Sequence, residues 1–140
     1  MRKVYESTTV PESKSLLEIE FMLRRHGVDQ VRWTSGASQI RIEFLWPYGG
    51  TELGFRIDLK IPALDSQVKK EQERRRQLRV LMNHIKAKLV AVDEGLVDLE
   101  QEFLAYMLTP GGETVGEMAK EVMATGDMGG LVLLPERTPR

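Results

Sequence analysis

Acid–base catalysis near neutral pH calls first on histidine, and this chain has two, His26 and His84. His26 follows Arg24 and Arg25 just ahead of Gly27. That is the place of a cation in the last turn of a helix, where the dipole favours positive charge. His84 falls inside a long helical pattern beside Asn83 and reads as a residue on its polar border. No His-x-x-x-His, Glu-x-x-His or paired Asp-x-Asp spacing is present to hold a metal. Cysteine is absent, which removes disulfides, thiolate zinc sites, iron–sulfur clusters and cysteine nucleophiles. Gly49-Gly50 and Gly111-Gly112 lack a following Lys-Ser/Thr, so neither makes a phosphate loop. Glu43 and Asp58 are the carboxylates left over for magnesium. The expectation is a protein with no catalytic residue, no cofactor and no metal ligand, hence not an enzyme.

Charge is arranged more tellingly. The 140 residues carry a formal net charge of −1 and a pI of about 6.2, which excludes a globally basic nucleic-acid binder. That near-neutrality hides a segregation. Residues 67–88 hold eight cations (Lys69, Lys70, Arg74, Arg75, Arg76, Arg79, Lys86 and Lys88) against Glu71 and Glu73, a net of +6. Residues 93–122 hold eight carboxylates against Lys120 alone, a net of −7. A helix presenting so many cations can contact several phosphates, each contact releasing counterions. The blander account is a solvated helix face, or pairing with acidic helices of the same fold. Between residues 67 and 77 Val68 is the one sizeable apolar residue, so that half-helix is expected to project into solvent or meet a partner.

The elements that would position these groups follow from periodicity. Val4, Tyr5, Thr8 and Thr9 form a short β-prone segment. Pro11 opens a helical pattern in which Ser15-x-x-Glu18 has the form of a capping box, Leu16, Ile19 and Leu23 share one face, and Gly27 stops the helix. Leu17 and Phe21 make a second apolar pair displaced around that helix. Alternation then predicts three strands: Val31 and Trp33; Ile40, Ile42, Phe44 and Trp46; and Leu53, Phe55, Ile57, Leu59 and Ile61. A long helix starts near Asp65 or Ser66, with Leu78, Leu81, Ile85, Leu89 and Val92 inward, and Gly95 closes it. Asp98-x-x-Gln101 caps a helix carrying Leu99, Phe103, Tyr106 and Met107. Thr114-x-x-Glu117 caps another, with Val115, Met118 and Val122 inward.

The order β-α-β-β-β-α-α-α predicts an α+β fold: an antiparallel sheet of three to four strands, an N-terminal helix, one long basic helix and two shorter C-terminal helices. Residues 1–130 are read as one domain, and 131–140 as an extended C-terminal tail following the apolar run Leu131–Leu134. No run approaches the roughly 20 apolar residues of a membrane span, and Met1 to Glu6 lacks the apolar stretch of a secretory signal. No membrane partner and a cytoplasmic location are therefore expected.

The helix Ile85-Lys86-Ala87-Lys88-Leu89-Val90-Ala91-Val92-Asp93-Glu94-Gly95 is followed by Glu102-Phe103-Leu104-Ala105 and by the turn Thr109-Pro110-Gly111-Gly112-Glu113-Thr114-Val115. Together with Ser15 to Gly27, this pattern resembles a family of small bacteriophage and prophage proteins to which no activity attaches. The resemblance implies an accessory protein of a phage or mobile element, working in the cytoplasm of the host bacterium. It transfers no functional residue.

Two functions compete at this level. The first is sequence-independent nucleic-acid binding in DNA metabolism, with Lys69, Lys70, Arg74, Arg75, Arg76 and Arg79 as phosphate contacts and Arg32, Arg41 and Lys60 extending the track. It expects Arg75→Glu with Arg79→Glu to abolish binding and leave folding intact. The second is a protein-interaction or inhibitor module, in which the basic helix meets the acidic segment of a second copy (a homodimer) or an acidic host protein.

Overall fold

The computed structural model describes residues 3–126. Within them the chain runs as helix α1 (Glu12–Arg25), strands β1 (Gln30–Ser35), β2 (Gln39–Tyr48) and β3 (Thr51–Lys60), and helices α2 (Gln67–Asp93), α3 (Leu99–Phe103) and α4 (Val115–Thr125), with a 3-10 turn at Leu104–Tyr106. The three strands form one antiparallel sheet in the order β1-β2-β3, so the fold is α+β as the periodicity predicts.

Strand alternation gives the sheet two unlike faces. Ile42 lies opposite both Trp33 and Ile57, and Phe44 opposite both Val31 and Phe55, so the apolar residues stack in rows on one side. Phe44 and Phe55 stack at 5.2 Å between ring centroids, and Trp46 and Phe103 meet them edge-on. The other face carries Arg32 opposite Glu43 opposite Arg56, and Arg41 opposite Asp58. Gly49 and Gly50 link β2 to β3 with φ of 54° and 84°, the two positive values that a tight, twist-matched hairpin turn needs. Pro47 sits beyond the last residue of β2 that pairs with β1, where a missing N–H costs no ladder bond.

The apolar face is covered by α1 and α2. Ile19 and Leu23 of α1 and Leu81, Met82, Ile85 and Leu89 of α2 join the sheet residues and Phe103 in the main core, while Leu78 packs with Ile40 and Ile61 in a smaller cluster. The two helices run parallel: Glu12 lies beside Arg74, Glu18 beside Arg79, and His26 beside Asp93. Both ends of α2 follow the sequence signals. Ser66 caps its start by accepting from the Lys69 N–H at 3.1 Å, and Gly95 follows its end with φ of 72°. The Asp98–Gln101 and Thr114–Glu117 capping boxes are both formed.

Four expectations need correction. Residues 3–9 are not a strand. Residues 4–7 form a turn, with Glu6 N–H bonded to the Lys3 carbonyl and Tyr5 at φ 57°, and the segment lies along α2. A fourth pairing is found instead at the outer edge of β3, where Met107 bridges Phe55 and the Leu108 N–H donates to the Gly54 carbonyl at 2.8 Å. Ser15 does not cap α1; Pro11 holds that position, and Ser15 is buried inside the first turns. The helix expected from Leu99 to Met107 stops at Phe103 and tightens into the 3-10 turn, which frees Met107 for that bridge. Met118, expected inward on α4, is exposed, and α4 buries no residue fully. The tail 131–140 lies outside the described residues.

Candidate nucleic-acid interface

The half-helix 67–77 does not project bare into solvent. The N-terminal segment lies on it: the Gln72 side-chain amide donates to the carbonyls of Glu6 and Thr8 at 2.9 and 3.0 Å. Further along the helix, Asn83 donates to the Tyr5 hydroxyl at 2.9 Å. Polar hydrogen bonding, not apolar burial, accounts for this stretch.

Three of the four arginines of α2, Arg74, Arg76 and Arg79, form salt bridges within the fold. Arg74 donates from Nε to Glu12 at 3.0 Å, from Nη1 to the Gly36 carbonyl at 2.8 Å and from Nη2 to the Ser35 hydroxyl, tying α1 to the β1–β2 hairpin. Arg79 is 11% exposed and donates to Glu18 at 3.0 Å and to the buried Ser15 hydroxyl at 2.9 Å. Arg76 grips Glu73, whose carboxyl is held below the usual range by that guanidinium. Arg75 donates to Gln72 at 2.6 Å. The planar five-donor guanidinium suits such multidentate pairing, whereas a lysine ammonium stays a solvated point charge. Arg75→Glu with Arg79→Glu therefore cannot spare folding, because a carboxylate at 79 would face Glu18 and leave Ser15 without its donor.

The lysines behave differently. Lys69 is 64% exposed and meets only Asp65, an i,i+4 surface pair of the kind that contributes little. Lys70 and Lys60 make no ion pair among the described residues. Lys60 ends β3, its carbonyl accepting from Gln77 at 2.9 Å. Lys3, Lys69 and Arg76 border a shallow cavity of about 320 Å³ near the start of α2 together with the carboxylates of Glu6 and Glu73. Lys69 and Lys70 also stand at the start of α2, whose first turn holds no acidic residue, although the helix dipole there disfavours cations.

Arg32 and Arg41 do not extend this cluster. They lie on the polar face of the sheet, whereas α2 packs on the apolar one. Arg32 is 73% exposed but chelated by Glu43, and Arg41 is bound to Asp58 at 2.7 Å, which raises its pKa further. The nine candidate residues thus split three ways: Lys69 and Lys70 at the start of α2, the guanidiniums of Arg74, Arg75, Arg76 and Arg79 further along it, and Arg32, Arg41 and Lys60 on the polar face of the sheet, away from α2.

Both histidines are engaged by groups of the fold. His26 Nε2 lies 2.9 Å from Asp93, and its Nδ1 2.8 Å from the Met22 carbonyl. Burial alone would lower its pKa; the bonds to Asp93 and Met22 outweigh it, and the net value is raised. His84 is pushed the other way by burial and by the nearby Lys88, with Glu102 opposing. Its Nε2 is 3.4 Å from the Tyr106 hydroxyl. Lys88 itself donates to Glu102 and lies over the Phe103 and Tyr106 rings at 5.6 and 5.5 Å. Among the described residues no group of three or more His, Asp or Glu side chains could hold a metal ion, and no helix is long and apolar enough to cross a membrane.

Glu12, Ser15 and Glu18 on α1 are the partners that sequence reading missed as such. Their three-residue spacing marks a polar stripe on a helix that otherwise turns inward, and that stripe was the available signal. No protein-family model, no curated protein and no solved structure matches this chain.

Proposed function

We propose that this protein is a non-catalytic binding protein that engages the phosphate backbone of nucleic acid, without sequence preference, through the lysine-rich end of α2. The observation that carries the reading is the division of the cations: Arg74, Arg76 and Arg79 are salt-bridged within the fold, while among the described residues Lys60 and Lys70 make no ion pair and Lys69 meets the exposed Asp65 alone. Cations placed against the helix dipole are disfavoured in the free protein and become favourable when an anion binds between them and the helix N-terminus. The resemblance to small phage and prophage proteins supports an accessory role in mobile-element DNA metabolism.

The test is fluorescence anisotropy with labelled single- and double-stranded oligonucleotides across a salt series. Three to four phosphate contacts imply a log–log slope of about −3 on duplex DNA. Lys60→Glu, Lys69→Glu and Lys70→Glu together should abolish binding and leave the circular dichroism melt unchanged. No binding by the native protein at low salt, or full binding by the triple variant, refutes the reading.

A further inference from the structure

Arg75 is the guanidinium of α2 that no carboxylate holds. Arg74, Arg76 and Arg79 are paired with Glu12, Glu73 and Glu18. Arg75 makes a single hydrogen bond, from Nη2 to the Gln72 side-chain oxygen at 2.6 Å, and its Nε and Nη1 have no partner among the described residues. Glu71, one turn earlier on α2, is exposed and accepts from Gln67 rather than from Arg75. Arg75 is nevertheless part-buried, and a cation withdrawn from water is ordinarily paired.

A cavity of about 310 Å³ opens beside it, lined by Ser7, Thr8, Thr9, Pro11, Gln72 and Arg75. No carboxylate lines it; donors do. The Thr8 hydroxyl oxygen accepts from the Val10 N–H at 3.2 Å, which leaves its proton to donate elsewhere. The hydroxyls of Ser7 and Thr9 make no hydrogen bond among the described residues. The neighbouring cavity shares Gln72 as a wall but is built differently: there Lys3 and Arg76 already meet Glu73. At the start of α1, Glu12 is taken by Arg74, while Lys14 is exposed and makes no ion pair among the described residues. The unspent charge at that end of α1 is therefore positive as well.

The donors are set in place by the fold. Gln72 spends both N–H groups on the Glu6 and Thr8 carbonyls, at 2.9 and 3.0 Å, and presents its oxygen to Arg75. One side chain thus holds the segment that carries the hydroxyls and the guanidinium beside it. A site whose donors are already ordered loses less entropy when a ligand arrives.

We propose that this cavity binds a phosphate group, free or carried by a small ester, with Arg75 as the charged donor and the hydroxyls of Ser7, Thr8 and Thr9 as the neutral ones. A carboxylate offers two oxygens in one plane. A phosphate offers three or more strong acceptor oxygens in a tetrahedron, which suits a guanidinium together with three hydroxyls on the wall of one cavity. This site goes beyond the nucleic-acid reading, since Lys60, Lys69 and Lys70 do not line the cavity.

The test is a titration of the native protein with inorganic phosphate, followed by proton–nitrogen correlation NMR. The amides of Ser7, Thr8 and Thr9 and the Arg75 Nε–H should shift and saturate in the low-millimolar range. Arg75→Gln should weaken binding about tenfold or more and leave the melting temperature unchanged, because Arg75 makes one hydrogen bond in the fold. Ser7→Ala with Thr9→Val should weaken it with Arg75 intact. Glycerol phosphate separates the two sources: tighter binding than phosphate marks an esterified ligand, weaker binding the free ion. Shifts that grow linearly, as with chloride at equal ionic strength, overturn the proposal. So does saturation that survives Arg75→Gln, or that Lys69→Glu with Lys70→Glu removes. Duplex binding is read in a separate experiment, so either reading can fail while the other stands.

Discussion

At the scale of single residues, the distinction between arginine and lysine organises the molecule. Sequence alone presents the cations of residues 67–88 as one set, since charge and spacing do not show which of them meet carboxylates some sixty positions away. The chemistry of the side chains holds a finer signal: multidentate guanidiniums are the usual partners inside a fold, and ammoniums the usual solvated charges. Arg79 is the sharpest case. Arg79→Met should cost about 2–3 kcal/mol in denaturant unfolding, because it leaves Glu18 and the buried Ser15 hydroxyl without their donor. A loss below about 0.5 kcal/mol, the size of an ordinary surface substitution, would refute the structural role. His26 makes a second prediction. Its two ring nitrogens both face acceptors, so the protonated ring is favoured and its folded pKa is raised. The contribution to stability is full below the unfolded value of about 6.5 and is lost as pH rises through the higher folded value. The melting temperature of the native protein should therefore fall, relative to His26→Gln, between mildly acid and mildly alkaline pH. Parallel pH profiles for the two proteins would show that the pair does not stabilise the fold.

At the scale of elements, most of the architecture was legible and the failures have physical causes. Strand alternation, the Gly49-Gly50 turn, the Ser66 cap and the two capping boxes are local rules, satisfied by near neighbours in the chain, so a sequence displays them. Ser66→Ala should cost about 1 kcal/mol by removing the acceptor for the Lys69 N–H, measured by chemical denaturation; an unchanged midpoint would contradict the cap. Residues 3–9 carry β-prone side chains, but Gln72 and Asn83 of α2 bond the carbonyls of Glu6 and Thr8 and the Tyr5 hydroxyl, and hold the segment as a turn. Ser15 matches a capping pattern and is recruited by Arg79 instead. In each case a tertiary partner decides between local options of similar energy.

At the scale of the whole molecule, the opposed charges of residues 67–88 and 93–122 are spent in part within the chain: Arg74 and Arg79 on α1, Glu117 on Arg56, Lys88 on Glu102, and Asp93 on His26. What is left among the described residues includes the lysines at the start of α2, which the net charge and the charge blocks did not single out. The division between arginines that hold the fold and lysines that meet a ligand is the centre of this account. It is tested most directly by the salt dependence of duplex binding for the native protein and for Lys70→Glu. Lys70 makes no ion pair among the described residues, so the variant should melt as the native protein does, bind more weakly, and show a log–log slope shallower by about 0.9, one phosphate contact. An unchanged slope and affinity would contradict the account.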